Sequence, residues 1–293
     1  MRILICSNGM PAADNATRIG GVVAGACRAE TTLLGIAERS ADETPLREAL
    51  EAEAQWLHTQ GVTPKILMRA GEPIRQIVAA TSASNYDIVV IGAERRGTSG
   101  LYWRSEKTYE VIKSIRPPVL VAIGEFAELK RFLVCTGGKE FIGAALQVTG
   151  QMAAAMRASV TLMHVMAEPP AMYADLVQLE EDLDRLLESK SELGNNLRRQ
   201  KEQLERLGVP TEVRVRHGIV LDQVFAEARQ GNYDLIVTGT SQSRGMLQHY
   251  IMGDLVRSIL NHTNCPVLVV RSGKSRRVGL WQAIKESFAA GPE

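Results

Sequence analysis

The sequence predicts an α/β protein built of two tandem, doubly wound parallel-sheet domains. An internal repeat is the first reason. RILICSNG at Arg2 is answered by RFLVCTGG at Arg131, TTLLGI at Thr31 by VTLMHV at Val160, and RAGEP at Arg69 by RHGIV at Arg216; NYDIVVIGA at Asn85 is answered by NYDLIVTGT at Asn232, and PPVLVAI at Pro117 by CPVLVVR at Cys265. The second reason is the texture inside each copy, where short apolar runs rich in Val, Ile and Leu alternate with amphipathic stretches of helical period. Strands that are apolar on both faces need cover on both, which a parallel sheet with helices above and below and right-handed crossovers supplies. A chain of 293 residues also suits two domains of about 100–150 residues each.

Taken in order, the first copy (1–126) predicts strands at 2–6, 31–36, 65–68, 87–91 and 119–123, with helices at 11–28, 43–60, 73–83 and 105–115. The second copy (129–272) predicts strands at 131–135, 160–165, 212–215, 235–238 and 267–270. The linker around 124–130 is short, so the two domains are expected to pack on each other with pseudo-twofold symmetry. Leu33 to Leu162 is 129 positions and Gly71 to Gly218 is 147, so copy two has gained 18 residues between Leu162 and Gly218. Leucines at spacings of three, four or seven through 173–207 predict that the insertion lengthens a helix. That helix is either one rod of about 50 Å at 1.5 Å per residue or a hairpin broken at Gly194-Asn195-Asn196. A tail at 273–293 carries GKSRR and then Trp281, Ile284 and Phe288 on one helical face, which predicts a short docking helix. Both 173–207 and 273–293 are candidate surfaces for self-association or for a protein partner.

Composition narrows the function classes. With 34 basic and 33 acidic residues the net charge is +1, which gives no footprint for nucleic acid. No apolar run approaches about 18 residues, so no membrane span is expected. The N-terminal MRILICSNG enters a strand without the features of a secretory signal, which points to the cytoplasm. The four cysteines have no C-x-x-C spacing and are expected as reduced, largely buried thiols, and the five scattered histidines suggest no metal site. No G-x-S-x-G elbow is present; Ser241 and Ser243 read as turn residues, and Asp87 and Asp234 as turn caps rather than acids. No catalytic centre emerges.

The R-x-G-x-P element Arg69-Ala70-Gly71-Glu72-Pro73, the (Y)D-x-(I/V)-V-x-G fourth strand, the glycine loop after it and the C-P-V-L-V-V final strand together resemble the universal stress protein family in its two-domain form, over residues 1–271. That resemblance implies a Rossmann-like, adenine-nucleotide-alpha-hydrolase-like fold, a stress or signalling role without catalysis, and a dimer-like pairing of domains. Family members that bind ATP have an Asp after the first strand for adenine and ribose, and a loop G-x-x-G-x9-G-(S/T) for phosphates. Glycines there admit the phosphates to the backbone, and backbone N–H groups with the terminal hydroxyl hold them.

Matched residue by residue, copy two is partial. Gly239 fits the first Gly, Gln242 replaces the second, Gly253 fits the last with one extra residue in the loop, and Asp254 replaces the Ser/Thr. A carboxylate there caps a helix but repels a phosphate by about 1–4 kcal/mol at 4 Å. Thr136 stands where the nucleotide-holding Asp belongs, and Ser7 does so in copy one. Thr136-Gly137-Gly138-Lys139 is small and glycine-rich, although Glu140-Phe141 departs from the S-G-G-x-D-S loop of the related ATP pyrophosphatases. Copy one is more degenerate: Arg95 takes a glycine position, and Arg95, Arg96 and Arg104 read as a solvated face or interdomain contact before an anion site. The resemblance therefore implies a weakened site for ATP or AMP in copy two, formed by Thr136, Gly137, Val165, Thr238, Gly239, Gly253 and Asp254. The alternative is an interaction or scaffold protein with both pockets degenerate, acting through oligomerisation or partner recruitment.

Overall fold

The computed structural model describes residues 1–9, 11–93, 105–124, 128–137, 143–167, 183–240 and 255–271. The first half comprises β1 (Arg2–Ser7), α1 (Pro11–Cys27), β2 (Glu30–Ala37), α2 (Glu43–Thr59), β3 (Lys65–Ala70), α3 (Pro73–Ala83), β4 (Ile88–Gly92), α4 (Ser105–Ser114) and β5 (Val119–Ala122). The second comprises β6 (Arg131–Thr136), α5 (Gly143–Met156), β7 (Ser159–Met166), α6 (Leu183–Glu188), α7 (Glu192–Glu205), β8 (Thr211–His217), α8 (Val220–Gln230), β9 (Leu235–Thr240), a helix over 255–262 designated α9, and β10 (Val267–Arg271). These strands agree with those expected from the apolar runs to within two residues at either end.

The ten described strands form one sheet in the order β3-β2-β1-β4-β5-β10-β9-β6-β7-β8, so the sequence 3-2-1-4-5 is read once from each edge toward the centre. Within each half the pairing is parallel. At the centre β5 meets β10 antiparallel, with Val267 opposite Val121, Leu268 opposite Leu120 and Val269 opposite Val119. The central join satisfies the backbone of two strands that would otherwise be sheet edges.

Side chains alternate across the sheet, and both faces are buried. Ile3, Ile5, Leu33, Phe132, Val134, Leu162, Val237 and Leu268 lie on one face with Ile19, Leu50, Leu57, Met152, Leu197 and Leu204. Leu4, Leu34, Val89, Val121, Leu133, Met163, Ile236 and Val269 lie on the other with Ile77, Ile112, Val224 and Ile259. Each core layer runs through both halves, and each fully buried aliphatic side chain contributes about 1.5–3 kcal/mol of transfer free energy.

Two aspartates fix where the sheet begins. Asp87 Oδ2 accepts from Arg2 N at 2.7 Å, and Asp234 Oδ2 accepts from Lys130 N at 2.8 Å and Arg131 N at 2.9 Å. They reach across to the first strand of their own half rather than capping a local turn.

Of the two forms open for 173–207, the described part takes the broken one. α6 ends at Glu188 and α7 starts at Glu192, where Ser191 Oγ accepts from Gly194 N at 3.0 Å. The break thus falls before Gly194-Asn195-Asn196, which lie inside α7. Gly194 is helical because α6 packs against it: a Cβ there would lie 2.1 Å from Leu186 O. Leu50, Glu53 and Leu57 on α2 are each 147 positions from Leu197, Gln200 and Leu204 on α7. All 18 extra residues therefore precede α7 instead of extending it. The remainder of 173–207, from 173 to 182, and the tail 273–293 lie outside the described residues.

Candidate functional site

Doubly wound sheets offer a crevice at the carboxyl ends of the strands where the order reverses. Here that place lies between β1 and β4 in the first half and between β6 and β9 in the second. Cys135 pairs with Thr238 on β9, and Thr136 pairs with His164 on β7. The ends of β6, β7 and β9 thereby gather the backbones of Thr136, Gly137, Val165, Thr238 and Gly239. Among the described residues, a Cβ on Gly137 would meet nothing within 4 Å and one on Gly239 only Val270 O at 3.8 Å.

The side chains do not converge in the same way. Thr136 continues the face of Phe132 and Val134, under α7, whereas Val165 packs with the opposite core layer and Thr238 follows Ile236 onto that layer. Thr136 is buried and its Oγ1 donates to Gln200 Oε1 at 3.0 Å. The hydroxyl that replaces the expected Asp is thus engaged by the crossover helix. Gly253, Asp254 and Gln242, and with them the rest of the loop, lie outside the described residues, as do Arg95, Arg96 and Arg104.

The first half has the same device in a tighter form. Ser7 Oγ donates to Glu53 Oε1 at 2.6 Å, Thr17 Oγ1 donates to Glu53 Oε2 at 2.8 Å, and Gly9 N donates to Ser7 Oγ at 3.1 Å. Glu53 stands at the place of Gln200. A carboxylate at the crevice of the first half opposes a bound phosphate, whereas the amide of Gln200 does not. Neither Gln200 nor Glu53 belongs to a recognisable motif; the 147-position offset between the copies is the signal that pairs them.

His164 is a second residue that the sequence reading left unassigned. Its Nδ1 lies 2.9 Å from Thr136 O, and its ring is half-buried, which lowers its pKa below the ordinary 6.5 despite the opposing bond to the carbonyl. Burial also pushes the Cys6 and Cys135 thiols up to about 12, so neither is a thiolate at neutral pH.

A separate charged cluster lies on the outer strand. Glu227 of α8 has a fully covered side chain, receives Arg214 at 2.6 Å and Arg216 at 2.7 Å from β8, and accepts from Tyr233 Oη at 2.7 Å. Burial alone would raise its carboxyl, but the Arg216 and Tyr233 hydrogen bonds and the two guanidinium charges outweigh this and hold it below the usual range. The first half has Ala80 and Leu67 at the places of Glu227 and Arg214. With both arginines matched by Glu227 and by Glu212, which Arg214 meets at 2.8 Å, the cluster acts as a structural clamp. A cleft of about 400 Å³ flanks α7, lined by Lys190, Glu192, Asn195, Asn196 and Arg199. Among the described residues no three His, Cys, Asp or Glu side chains gather as metal ligands, and no helix is long and apolar enough to cross a membrane.

Comparison with known proteins places this geometry. Residues 128–271 match a model of the universal stress protein family. A universal stress protein of Methanocaldococcus jannaschii is 29% identical over 85 residues, covering 29% of this chain and 49% of that protein. The chain thus spans about half the length of this curated relative. Among solved structures, a universal stress protein from Archaeoglobus fulgidus superposes with a TM-score of 0.69 at 17% identity, covering 93% of this chain and 98% of the other. A putative universal stress protein from Pseudomonas aeruginosa gives 0.68 at 14% identity, with 92% of each chain covered. The second half of the chain, residues 128–271, thus matches the universal stress protein family, and solved proteins of that name share the chain's fold over nearly its whole length.

Proposed function

We propose that the chain is a cytoplasmic, non-enzymatic stress-response or signalling protein whose second half binds an adenine nucleotide weakly and whose first half does not. The observation that carries this is the asymmetry between the two crevices. In the second half no described residue crowds Gly137 or Gly239, which lie beside a neutral Thr136–Gln200 pair. In the first half a carboxylate, Glu53, holds Ser7 and Thr17. Backbone N–H groups at a strand-to-helix turn suit an anion, and the neutral wall suits the base and sugar. AMP fits better than ATP, because Asp254 in the loop sequence opposes added phosphate charge.

Calorimetry with AMP, ADP and ATP, with and without magnesium, tests this. Binding in the micromolar to millimolar range is expected, abolished by Gly239→Val and unaffected by Gly92→Val. Heats that vanish for every nucleotide at millimolar concentration would overturn it. Such a result favours the second reading, an interaction protein with both crevices closed, for which the Ser7–Glu53 and Thr136–Gln200 bonds are the supporting observation.

A further inference from the structure

We infer that His164 is the specificity-determining residue of the second-half crevice, accepting a hydrogen bond from an uncharged donor of the ligand, a sugar hydroxyl or an exocyclic amine. The inference rests on the nucleotide reading above and concerns its nucleoside part.

A backbone carbonyl only accepts, so the 2.9 Å contact between His164 Nδ1 and Thr136 O places the ring proton on Nδ1. Nε2 then carries a lone pair. A lone pair at this place matches an O–H or N–H donor and is mismatched to a phosphate oxygen, which is itself an acceptor. Burial of the ring keeps it neutral and preserves that polarity.

The surrounding residues agree. Thr136 pairs with His164 on the neighbouring strand and donates to Gln200; Asn196 lies one turn before Gln200 on α7, and both amides are buried. Thr136, His164 and Gln200 are all polar and none bears a fixed charge. Such a wall discriminates by hydrogen-bond donor and acceptor pattern rather than by charge.

The first half shows what the alternative looks like. Gly35 pairs with Ser7 as His164 pairs with Thr136. Any side chain at Gly35 would meet Leu50, whose Cδ1 lies 2.4 Å from a built Cβ. There the space is filled by leucine and bordered by the Glu53 carboxylate, so it offers no neutral acceptor of this kind.

The test is nitrogen NMR of histidine-labelled protein near neutral pH, with adenosine and inorganic triphosphate as probes, together with calorimetry. The free protein should show His164 as the Nδ1–H tautomer. Adenosine should shift its Nε2 resonance while leaving Nδ1 in place, and triphosphate should leave both unmoved. His164→Phe should weaken adenosine and AMP about tenfold, the loss of roughly one hydrogen bond, while His164→Gln, which keeps an acceptor, should restore part of it. An Nε2–H tautomer in the free protein overturns the inference without reference to any variant. An Nε2 signal unmoved by adenosine that demonstrably binds also overturns it, and then the nucleotide reading survives. If wild-type protein binds neither adenosine nor any adenine nucleotide, the nucleotide reading itself falls.

Discussion

At the scale of single residues, the second half differs from the first where polar groups replace apolar or oppositely disposed ones. Glu227 is the clearest case, a fully covered carboxylate held by two half-exposed arginines and a tyrosine hydroxyl where the first half has Ala80. Removing it leaves Arg214 and Arg216 without their buried partner, although both keep contact with water. Glu227→Ala is therefore expected to cost about 1–3 kcal/mol, measured by denaturant unfolding near neutral pH. The sign with pH follows from the lowered carboxyl. Below the ordinary value of 4.5 the unfolded chain takes up the proton before the folded one, so stability is full above that pH and is lost as pH falls through the folded value. The gap between wild type and variant should narrow over the same range. A gap that stays constant down to pH 3 would mean that the charge of Glu227 contributes nothing.

Among elements, the junctions decide which half-structures can form. Gly124 follows β5 with a φ of +67°, and a Cβ on it would lie 2.0 Å from Asn264 O, in the turn that leads into β10. Gly124→Ala therefore meets both a left-handed backbone and a backbone clash. About 1–2 kcal/mol is expected from the first and about 1–3 kcal/mol from the second, seen as a drop in thermal midpoint. Gly61, also at positive φ but with no described residue near a built Cβ, isolates the backbone component: Gly61→Ala should cost only the first amount. Equal losses for the two variants would remove the junction argument.

Element boundaries were largely legible in sequence, because buried parallel strands are continuous apolar runs and the repeat reports each of them twice. The path from β7 to α7 was not. Gly194 read as a helix breaker, yet it sits inside α7 to admit Leu186 O, a role set by a tertiary neighbour that spacing does not reveal. Leucine periodicity alone likewise could not separate α6 from α7, since both present leucines to the same core.

For the molecule as a whole, the pairing of β5 with β10 makes one ten-stranded sheet with its two switch-point crevices related by the pseudo-twofold order of strands. The candidate site was half legible. Thr136, Gly137, Val165, Thr238 and Gly239 follow from motif positions, and the sheet brings their backbones together at the carboxyl ends of β6, β7 and β9. The opposing directions of Val165 and Thr136 follow from strand alternation but were hidden by matching motif positions alone, without asking which face each occupies. Gln200 and His164, which the proposal adds, were not legible because one comes from the crossover helix and the other is an isolated histidine until Thr136 O is seen beside it.

The central claim is that only the second crevice takes an adenine nucleotide, and backbone amide shift mapping on titration with AMP tests it most directly. The claim predicts saturable shifts at Gly137, Val165 and Gly239, with Gly9, Gly35 and Gly92 unmoved. Shifts at the first-half glycines, or equal shifts in both halves, would contradict it.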